Sequence, residues 1–291
     1  MSGKLAILIG TDISTAAGAE ADPVRAALDA ERWGYDFVSA SDHPTGTSPT
    51  YETLTMLTWI AARTSRISIA TRVLGVPFRR PAMIAKAAES LQRLAGGRVI
   101  LGLGAGYSDA EIGALGVPIP SARDKIDGLA DALEIIRRVW AEPYVTHQGS
   151  VYSVAHLAVQ PKPSRSIPIW LGTFGPRALA VTGRLADGWI PSFGFLPPAQ
   201  VGDALQRIRD ASHAAGREPD AVRAIYNVPV RIDATARTDE STVSGAVSDV
   251  VEQFAGFTEL GFSGFNLMPG PGHAARIGAE LLPELRRSLT T

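Results

Sequence analysis

The sequence predicts a closed barrel of eight parallel strands surrounded by eight helices, formed by residues 1–291 as one domain. Two observations carry this prediction. Short apolar runs alternate with amphipathic segments eight times along the chain, which is typical of parallel βαβ units. The apolar runs are continuous, as expected of strands that are covered on both faces. Because no change of composition marks a domain boundary, a single α/β (β/α)8 TIM barrel is favoured over an open, doubly wound sheet.

The first half of the chain supplies four strand and helix pairs. The strands are predicted at Leu5–Gly10, Phe37–Ser41, Ile67–Leu74 and Val99–Gly104, and the helices at Asp22–Trp33, Tyr51–Thr64, Pro81–Leu94 and Ala122–Trp140. The apolar run that begins at Leu5 has only six residues and follows a single lysine. It is too short for the core of a signal peptide, so we assign it to a first buried strand.

The second half repeats the pattern, most clearly between Pro168 and Ser192. The strands are predicted at Ile169–Phe174, Trp189–Ser192, Ile225–Ile232 and Phe265–Met268, and the helices at Pro176–Ala186, Pro198–Ala215, Gly245–Leu260 and His273–Leu289. A turn with two glycines precedes Pro176, which suits the first position of a helix. Asp187 and Gly188 then end that helix before the next strand begins.

Two segments interrupt the alternation. The segment Tyr107–Pro120, after the fourth strand, is predicted to be a loop because it carries glycine and proline. The segment Ala141–Ile167, before the fifth strand, contains Val145–Gly149 and Val151–Val154, which predict a small hairpin. Long ordered loops in a compact barrel are more often functional than incidental, so both insertions are candidate parts of a binding site.

The composition excludes several classes of protein. A formal net charge of −1 gives no electrostatic reason to bind nucleic acid or an anionic membrane. No apolar segment approaches the ~20 residues that span a bilayer. The absence of cysteine excludes disulfides and thiolate chemistry and fits a reducing compartment. We therefore expect a cytoplasmic protein with neither nucleic-acid nor membrane partners.

In a barrel of this kind the active site lies where strands end and helices begin. The residues predicted there are polar, rich in glycine and mildly aromatic: Thr11, Asp12, Ser41 to His43, Thr71 to Val73, Gly104 to Tyr107, Gly172 to Gly175, Ser192, Phe193, Asn227 and Asn266. They include no pair of neighbouring histidines and no carboxylate cluster, so we expect no catalytic metal. The chain also lacks the Gly-x-Ser-x-Gly and Walker motifs, which argues against serine hydrolase and nucleoside triphosphatase activity.

Two glycine-rich strand ends are candidate ligand sites. The turn Gly172–Gly175 precedes a helix, whose first N–H groups can bind an anion, although an ordinary turn without a ligand explains the sequence equally well. The run Gly102-x-Gly104-x-Gly106 lacks the spacing of the GxGxxG fingerprint and follows the fourth strand, so it does not indicate a dinucleotide-binding fold. Close packing between helix and strand is the alternative explanation of these glycines.

His43 and two phenylalanines are the side chains to which we assign chemistry and substrate binding. Histidine is the side chain best suited to proton transfer near neutral pH, and His43 follows the second strand. On position alone, a role in capping a helix or binding backbone explains His43 equally well. Phe193 and Phe195, beyond the sixth strand, are candidates for an apolar substrate wall. Trp170 and Trp189 lie within strands and are expected in the core.

The sequence resembles the bacterial-luciferase-like family of flavin and deazaflavin oxidoreductases, and most closely its short members that use coenzyme F420. The resemblance rests on the two glycine-rich strand ends, on Asp42-His43, and on a third strand followed by Phe78-Arg79-Arg80-Pro81. It is strongest in 37–106 and 168–192. The resemblance implies hydride transfer between coenzyme F420 and an organic substrate. It also implies that His43 is the acid or base and that Asp42 lies near the deazaflavin ring.

The resemblance further implies the cofactor site. The implied cofactor-binding residues are Asp42, Thr71, Arg72, Val73, Gly104, Ala105, Gly106, Gly172, Thr173, Phe174 and Gly175, with a cis peptide bond at Arg72–Val73. Arg72 is larger than the small polar residue expected there. Tyr107 falls where relatives that oxidise sugar phosphates carry a catalytic glutamate, and we do not transfer that role to Glu111. Those relatives also use lysines in the second half of the barrel, and the absence of lysine after Lys162 disfavours a phosphorylated sugar as substrate.

Two other functions remain open. One is an FMN-dependent monooxygenase of the same superfamily, although such relatives tend to be longer than 291 residues. The other is a barrel that binds a flavin-like cofactor without turnover. The intact Asp42-His43 pair argues against this alternative. In each case we expect a homodimer whose ligand is a small molecule.

Overall fold

The computed structural model describes residues 6–289, and its main sheet is the predicted closed barrel. The barrel strands are β1 (Leu8–Asp12), β2 (Phe37–Ala40), β3 (Ser68–Thr71) with its continuation β4 (Leu74–Gly75), β5 (Val99–Gly104), β8 (Ile169–Leu171), β9 (Gly188–Trp189), β10 (Arg223–Ile232) and β12 (Gly264–Pro269). Every neighbouring pair is parallel, and β12 pairs with β1 to close the sheet. This closure excludes the open, doubly wound sheet.

Most strand boundaries differ from the predicted ones by a few residues, and three differences change the description of the fold. Leu5 lies outside the described residues, and β1 runs on to Asp12. The third strand is divided between β3 and β4 at the peptide bond Arg72–Val73, which is cis as the resemblance implied. A short strand β11 (Val243–Gly245) pairs with the outer end of β10, whereas we predicted that a helix begins at Gly245. That prediction is wrong, because Gly245 has a φ of +152° and helical residues require a negative φ.

The helices surround the barrel. They are α1 (Pro23–Trp33), α2 (Thr53–Arg63), α3 (Pro81–Leu94), α4 (Asp109–Ala114), α5 (Ala122–Ala141), α6 (Pro176–Leu185), α7 (Pro198–Ala214), α8 (Val247–Glu259), α9 (Ala274–Arg276) and α10 (Leu282–Leu289). The prediction of a plain loop over 107–120 is wrong, since α4 lies within it. In 141–167 the predicted hairpin is confirmed, with β6 (Val145–Gln148) antiparallel to β7 (Ser153–Leu157). No helix among residues 6–289 is long and apolar enough to cross a membrane.

The barrel interior is apolar at its lower level. Phe37, Ala70, Ile100, Trp170, Ile190 and Ile225 form a buried cluster. Within it, the rings of Phe37 and Trp170 meet edge to face, with centroids 5.3 Å apart. Trp189 is also fully buried, so both tryptophans belong to the core as predicted. These side chains fill the barrel interior at this level. A ligand therefore has room only beyond them, at the ends of the strands.

Candidate active site

The two glycine-rich segments and His43 lie at one end of the barrel. All barrel strands are parallel, so the loops that follow β2, β5 and β8 open on the same face. His43 follows β2, the run 104–106 ends β5, and the turn 172–175 follows β8. The side chain of His43 is 59% exposed at this face. We call this face the barrel mouth.

A chain of polar side chains, three of them buried, lies next to the apolar layer. The hydroxyl of Ser39 donates to the Oδ1 atom of Asn266 at 2.9 Å. The amide of Asn266 donates to the Oδ1 atom of Asn227 at 2.7 Å, and the amide of Asn227 donates to the Oγ atom of Ser192 at 2.9 Å. Ser39 and Asn227 stand two positions after Phe37 and Ile225 of the apolar cluster on their strands, which places them on the same inward face. These three hydrogen bonds give each of the four side chains a partner within the protein.

His43 contacts a residue of the inserted helix α4. Its Nδ1 atom lies 3.1 Å from each carboxylate oxygen of Glu111. The side chain of Glu111 is only 16% exposed. An ionised carboxylate accepts hydrogen bonds and cannot donate them, so in the neutral imidazole Nδ1 carries the hydrogen. The Nε2 atom is then the basic nitrogen.

Asp42, next to His43, is held in an ion-pair network. Its fully buried carboxylate accepts two hydrogen bonds from the Arg79 guanidinium, at 2.6 and 3.0 Å, and one from the N–H of Gly75 at 3.0 Å. Arg79 also donates to Glu52, which caps α2, at 2.6 Å. Burial lowers the pKa of Arg79, but Asp42 and Glu52 outweigh this effect and raise it above its ordinary value. The Asp42 carboxylate therefore fixes the loop that carries His43.

The hydroxyl of Thr71 and one terminal nitrogen of the Arg72 guanidinium have partners within the protein, whereas the buried Nε atom of Arg72 has none among residues 6–289. The hydroxyl of Thr71 donates to the carbonyl of Gly102 at 2.8 Å and accepts from the N–H of the same residue at 2.7 Å, which joins β3 to β5. Arg72 donates to the Oδ1 atom of Asp12 at 2.8 Å across the mouth. Both side chains occupy the predicted part of the site, and their role toward a cofactor stays a prediction.

Val73 and Thr71 crowd three glycines near the barrel mouth, of which Gly104 and Gly172 belong to the predicted cofactor site. A Cβ atom at Gly104 would lie 2.7 Å from the Cγ2 atom of Val73, and one at Gly172 would lie 3.2 Å from it. A Cβ atom at Gly102 would lie 1.9 Å from the carbonyl oxygen of Thr71. Close packing against Thr71 and Val73 therefore accounts for glycine at positions 102 and 104 whether or not a ligand binds, and it leaves little room for a Cβ atom at position 172.

Gly106 and Ala105 complete the turn after β5. Gly106 has a φ of +88°, and a Cβ atom there would lie 2.8 Å from the Cγ atom of Pro77. Ala105 packs half-buried against the main core. Backbone conformation and close approach thus require glycine at position 106.

The turn before α6 differs from the other glycine segments because it is open. Gly175 is exposed, and among residues 6–289 no atom lies within 4 Å of a Cβ atom placed there and no side chain caps the helix. The first N–H group that bonds back along the helix is that of Leu179, to the carbonyl of Gly175. The N–H groups of Arg177 and Ala178 are therefore free for an anion, as at any uncapped helix N-terminus.

Thr173 is not part of this open surface. Its hydroxyl lies 2.7 Å from that of Thr182, and its carbonyl accepts from the indole N–H of Trp189 at 2.9 Å. The residue is buried. Thr173 therefore anchors the turn from below, and its assignment to the cofactor site stays a prediction.

Three aromatic side chains from different loops meet at the barrel mouth. Phe195 lies 5.6 Å from Tyr107 and 5.6 Å from Phe174, measured between ring centroids. All three are exposed, which is unusual for rings of this size. Phe193 lies outside this cluster. It is buried and packs against Tyr226 and Phe257 in the core.

The fold and the site together define a (β/α)8 barrel in which polar and exposed aromatic side chains gather at the carboxyl ends of the strands. The chain belongs to the luciferase-like monooxygenase family, whose model matches residues 4–248. This confirms the family that the sequence motifs indicated.

Several curated relatives are similar to the chain. A protein of Microbacterium testaceum, named F420-dependent glucose-6-phosphate dehydrogenase, is 35% identical over 208 residues, which cover 69% of this chain and 61% of the relative. The chain thus matches less than two thirds of that relative's length. A protein of the same name from Intrasporangium calvum is 29% identical, over 88% of this chain and 92% of the relative.

Solved structures share the fold. An F420-dependent secondary alcohol dehydrogenase in complex with an F420-acetone adduct superposes with a TM-score of 0.87 at 17% identity, covering 97% of this chain and 99% of the other. A coenzyme F420-dependent tetrahydromethanopterin reductase from Methanopyrus kandleri gives a TM-score of 0.81 at 17% identity, covering 96% and 99%. A monooxygenase from Streptomyces bottropensis gives 0.79 at 21% identity, covering 95% and 99%.

The sequence patterns named Glu111 and Arg79 but assigned neither of them a role in the site. The run Ser108 to Glu111 matches the Ser-x-x-Glu pattern of a helix start, and the hydroxyl of Ser108 does accept from the N–H of Glu111 at 3.2 Å. That pattern could have revealed α4. No local signal could have paired Glu111 with His43 or Arg79 with Asp42, because the partners are separated by 68 and 37 residues.

Proposed function

We propose that the chain is an oxidoreductase that transfers a hydride between coenzyme F420 and an organic substrate. The observation that carries the proposal is the combination of an uncapped, open helix N-terminus at Gly175 with the exposed imidazole of His43 at the same barrel mouth. The first feature suits the phosphate of a cofactor, and the second suits proton transfer. The curated relatives that carry F420 in their names support the choice of cofactor.

The residues at the mouth fit such a cofactor. The free N–H groups of Arg177 and Ala178, together with the positive end of the α6 dipole, would hold its phosphate. The backbone of 104–106 and the side chains of Arg72 and Val73 would support the ring system. Asp42 would act through the loop it fixes, since its oxygens already accept three hydrogen bonds.

The chemistry divides between the cofactor and the protein. When bound, the deazaflavin supplies a carbon centre that accepts or releases a hydride. The Nε2 atom of His43 would accept the proton that an alcohol substrate loses, and it would return this proton in the reverse reaction. The aromatic cluster of Tyr107, Phe174 and Phe195 would exclude water and pack against the substrate.

We infer that the substrate has an apolar body. The exposed rings of the aromatic cluster form one wall of the mouth, and the sequence has no lysine after Lys162. Glucose 6-phosphate, which the names of the curated relatives suggest, is the first compound to compare with unphosphorylated alcohols. Arginine could still bind a phosphate in place of lysine. Measured turnover of glucose 6-phosphate and of unphosphorylated alcohols therefore has to decide between the two substrate classes. Homodimer formation and a cytoplasmic location stay predictions.

We expect the purified protein to bind coenzyme F420 at least tenfold more tightly than FMN, a difference of about 1.4 kcal/mol. Fluorescence titration of both cofactors into the same preparation measures this ratio. Equal or reversed affinities would support the FMN-dependent monooxygenase instead. Tight binding of F420 without turnover of any alcohol, enone or imine would support a binding protein that lacks catalysis.

Gly175→Asp should weaken binding of the cofactor about tenfold, because it adds a carboxylate where the phosphate is proposed to bind. Gly175→Ala is the matched control. The φ of −71° at Gly175 and the open space around it accept a methyl group, so this variant should bind within about twofold of wild type. If both variants weaken binding equally, the N-terminus of α6 does not bind an anion.

A further inference from the structure

The contact between Glu111 and His43 has a role that the proposed function does not assign. Glu111 is the third residue of α4, and its carboxylate has no hydrogen-bond partner other than His43 among residues 6–289. It faces a side chain that follows a different barrel strand, 68 residues away in sequence. A partly buried carboxylate that meets only one imidazole, at 3.1 Å from both of its oxygens, is arranged to bind that ring.

The helix that carries Glu111 is firmly attached to the barrel. Ile112 is fully buried, and Ser108 caps the first turn of α4. Asp109 accepts a hydrogen bond from Lys125 of α5 at 2.5 Å. The buried Ile112 side chain and the Ser108 cap give Glu111 a fixed position, which a residue needs if it is to orient another side chain; the exposed Asp109 pair is not needed for this.

We propose that Glu111 is a positioning residue: it accepts the Nδ1–H of His43, fixes the tautomer and orientation of the ring, and leaves the Nε2 lone pair as the base at the barrel mouth. The catalytic consequence rests on the proposed function, in which His43 moves the substrate proton. The tautomer itself follows from the contact alone, because an ionised carboxylate can only accept. A histidine in the other tautomer would present an N–H to the substrate and could not take up its proton.

Nitrogen-15 NMR of the histidine rings tests the tautomer in the protein without added cofactor. In wild type, neutral His43 should be protonated at Nδ1, and its signals are assigned by their loss in His43→Gln. In Glu111→Ala the neutral ring should move to the Nε2–H form. Glu111→Gln, whose amide oxygen can still accept, should keep Nδ1 protonated. His147 is an internal reference, because its Nε2 atom lies 3.4 Å from the Oδ1 atom of Asp131 on α5 and does not contact α4. Its signals should not change in the Glu111 variants.

Asp109→Ala is the matched control on the same helix, since Asp109 pairs with Lys125 and not with His43. It should leave the His43 tautomer unchanged. If it shifts the tautomer as far as Glu111→Ala does, general disturbance of α4 explains the effect and the proposal is overturned. An unchanged tautomer in Glu111→Ala overturns it as well.

Kinetics of the F420-loaded enzyme test the catalytic consequence. Glu111→Ala should lower kcat about 10- to 100-fold while KM and the cofactor Kd stay within about threefold. Glu111→Gln should recover part of the loss, which a purely structural role would not produce. A normal kcat in Glu111→Ala would overturn the positioning role. Failure of the proposed function gives a different result, because wild type would then bind no deazaflavin. The NMR experiment needs no cofactor, so it would still decide whether Glu111 sets the tautomer of His43.

Discussion

His43→Ala should lower turnover about 100-fold or more while the affinity for coenzyme F420 stays within a few-fold. Hydride transfer to or from an alcohol carbon requires that a proton move as well, and a positioned imidazole typically contributes 10²–10⁴-fold. The alternative proton acceptor, Asp42, is occupied by Arg79 and Gly75. Steady-state rates at saturating cofactor, followed through cofactor absorbance, measure the loss.

Two further variants make this result specific. His43→Gln should behave like His43→Ala, because an amide forms hydrogen bonds but does not titrate near neutral pH. His213→Ala changes an exposed histidine on α7 and should retain wild-type rates. If His43→Ala turns over normally, His43 is structural. If it loses the cofactor without a separate effect on turnover, His43 is a binding residue.

Arg79→Leu should destabilise the fold by about 3 kcal/mol, because it leaves the fully buried carboxylate of Asp42 without its cation. Among the described residues, the N–H of Gly75 would then be the one remaining donor to this carboxylate. Urea unfolding at neutral pH measures the free-energy difference. Asp42→Asn combined with Arg79→Leu should regain part of the loss, since the buried charge is then removed with its partner.

The control for this experiment is Arg207→Leu, an exposed arginine on α7 that should change stability by less than about 0.5 kcal/mol. A loss in Arg79→Leu no larger than in this control would mean that the Asp42 carboxylate is hydrated or protonated when Arg79 is absent. In that case the ion pair does not fix the His43 loop, and the network needs another explanation.

The sequence by itself determined the barrel. Continuous apolar runs and the helices between them are local patterns, and eight repeats without a break leave few arrangements other than closure. The order of the units also predicted that His43 and both glycine segments share one face, since in a parallel barrel every strand end faces the same way. The boundaries were less accurate because caps and single φ angles decide them, as at Gly245.

Only the tertiary structure decided what the side chains at that face do. Gly102 and Gly104 resembled a ligand cradle, yet their lack of a side chain is required by Thr71 and Val73 of the neighbouring strand. Phe193 and Phe195 looked alike in sequence, but the first enters the core and the second reaches the mouth. In each case the deciding neighbour is distant in the chain.

Distance along the chain also separates the predicted part of the site from the part to which the sequence assigned no role. His43 was identified because a strand end and a residue type are local facts. Glu111 and Arg79 act through partners 68 and 37 residues away. Their positions depend on how an inserted helix and a loop pack on the closed barrel. Sequence patterns specify the elements and their directions, whereas pairwise contacts between side chains depend on distances of a few ångströms that only packing in three dimensions fixes.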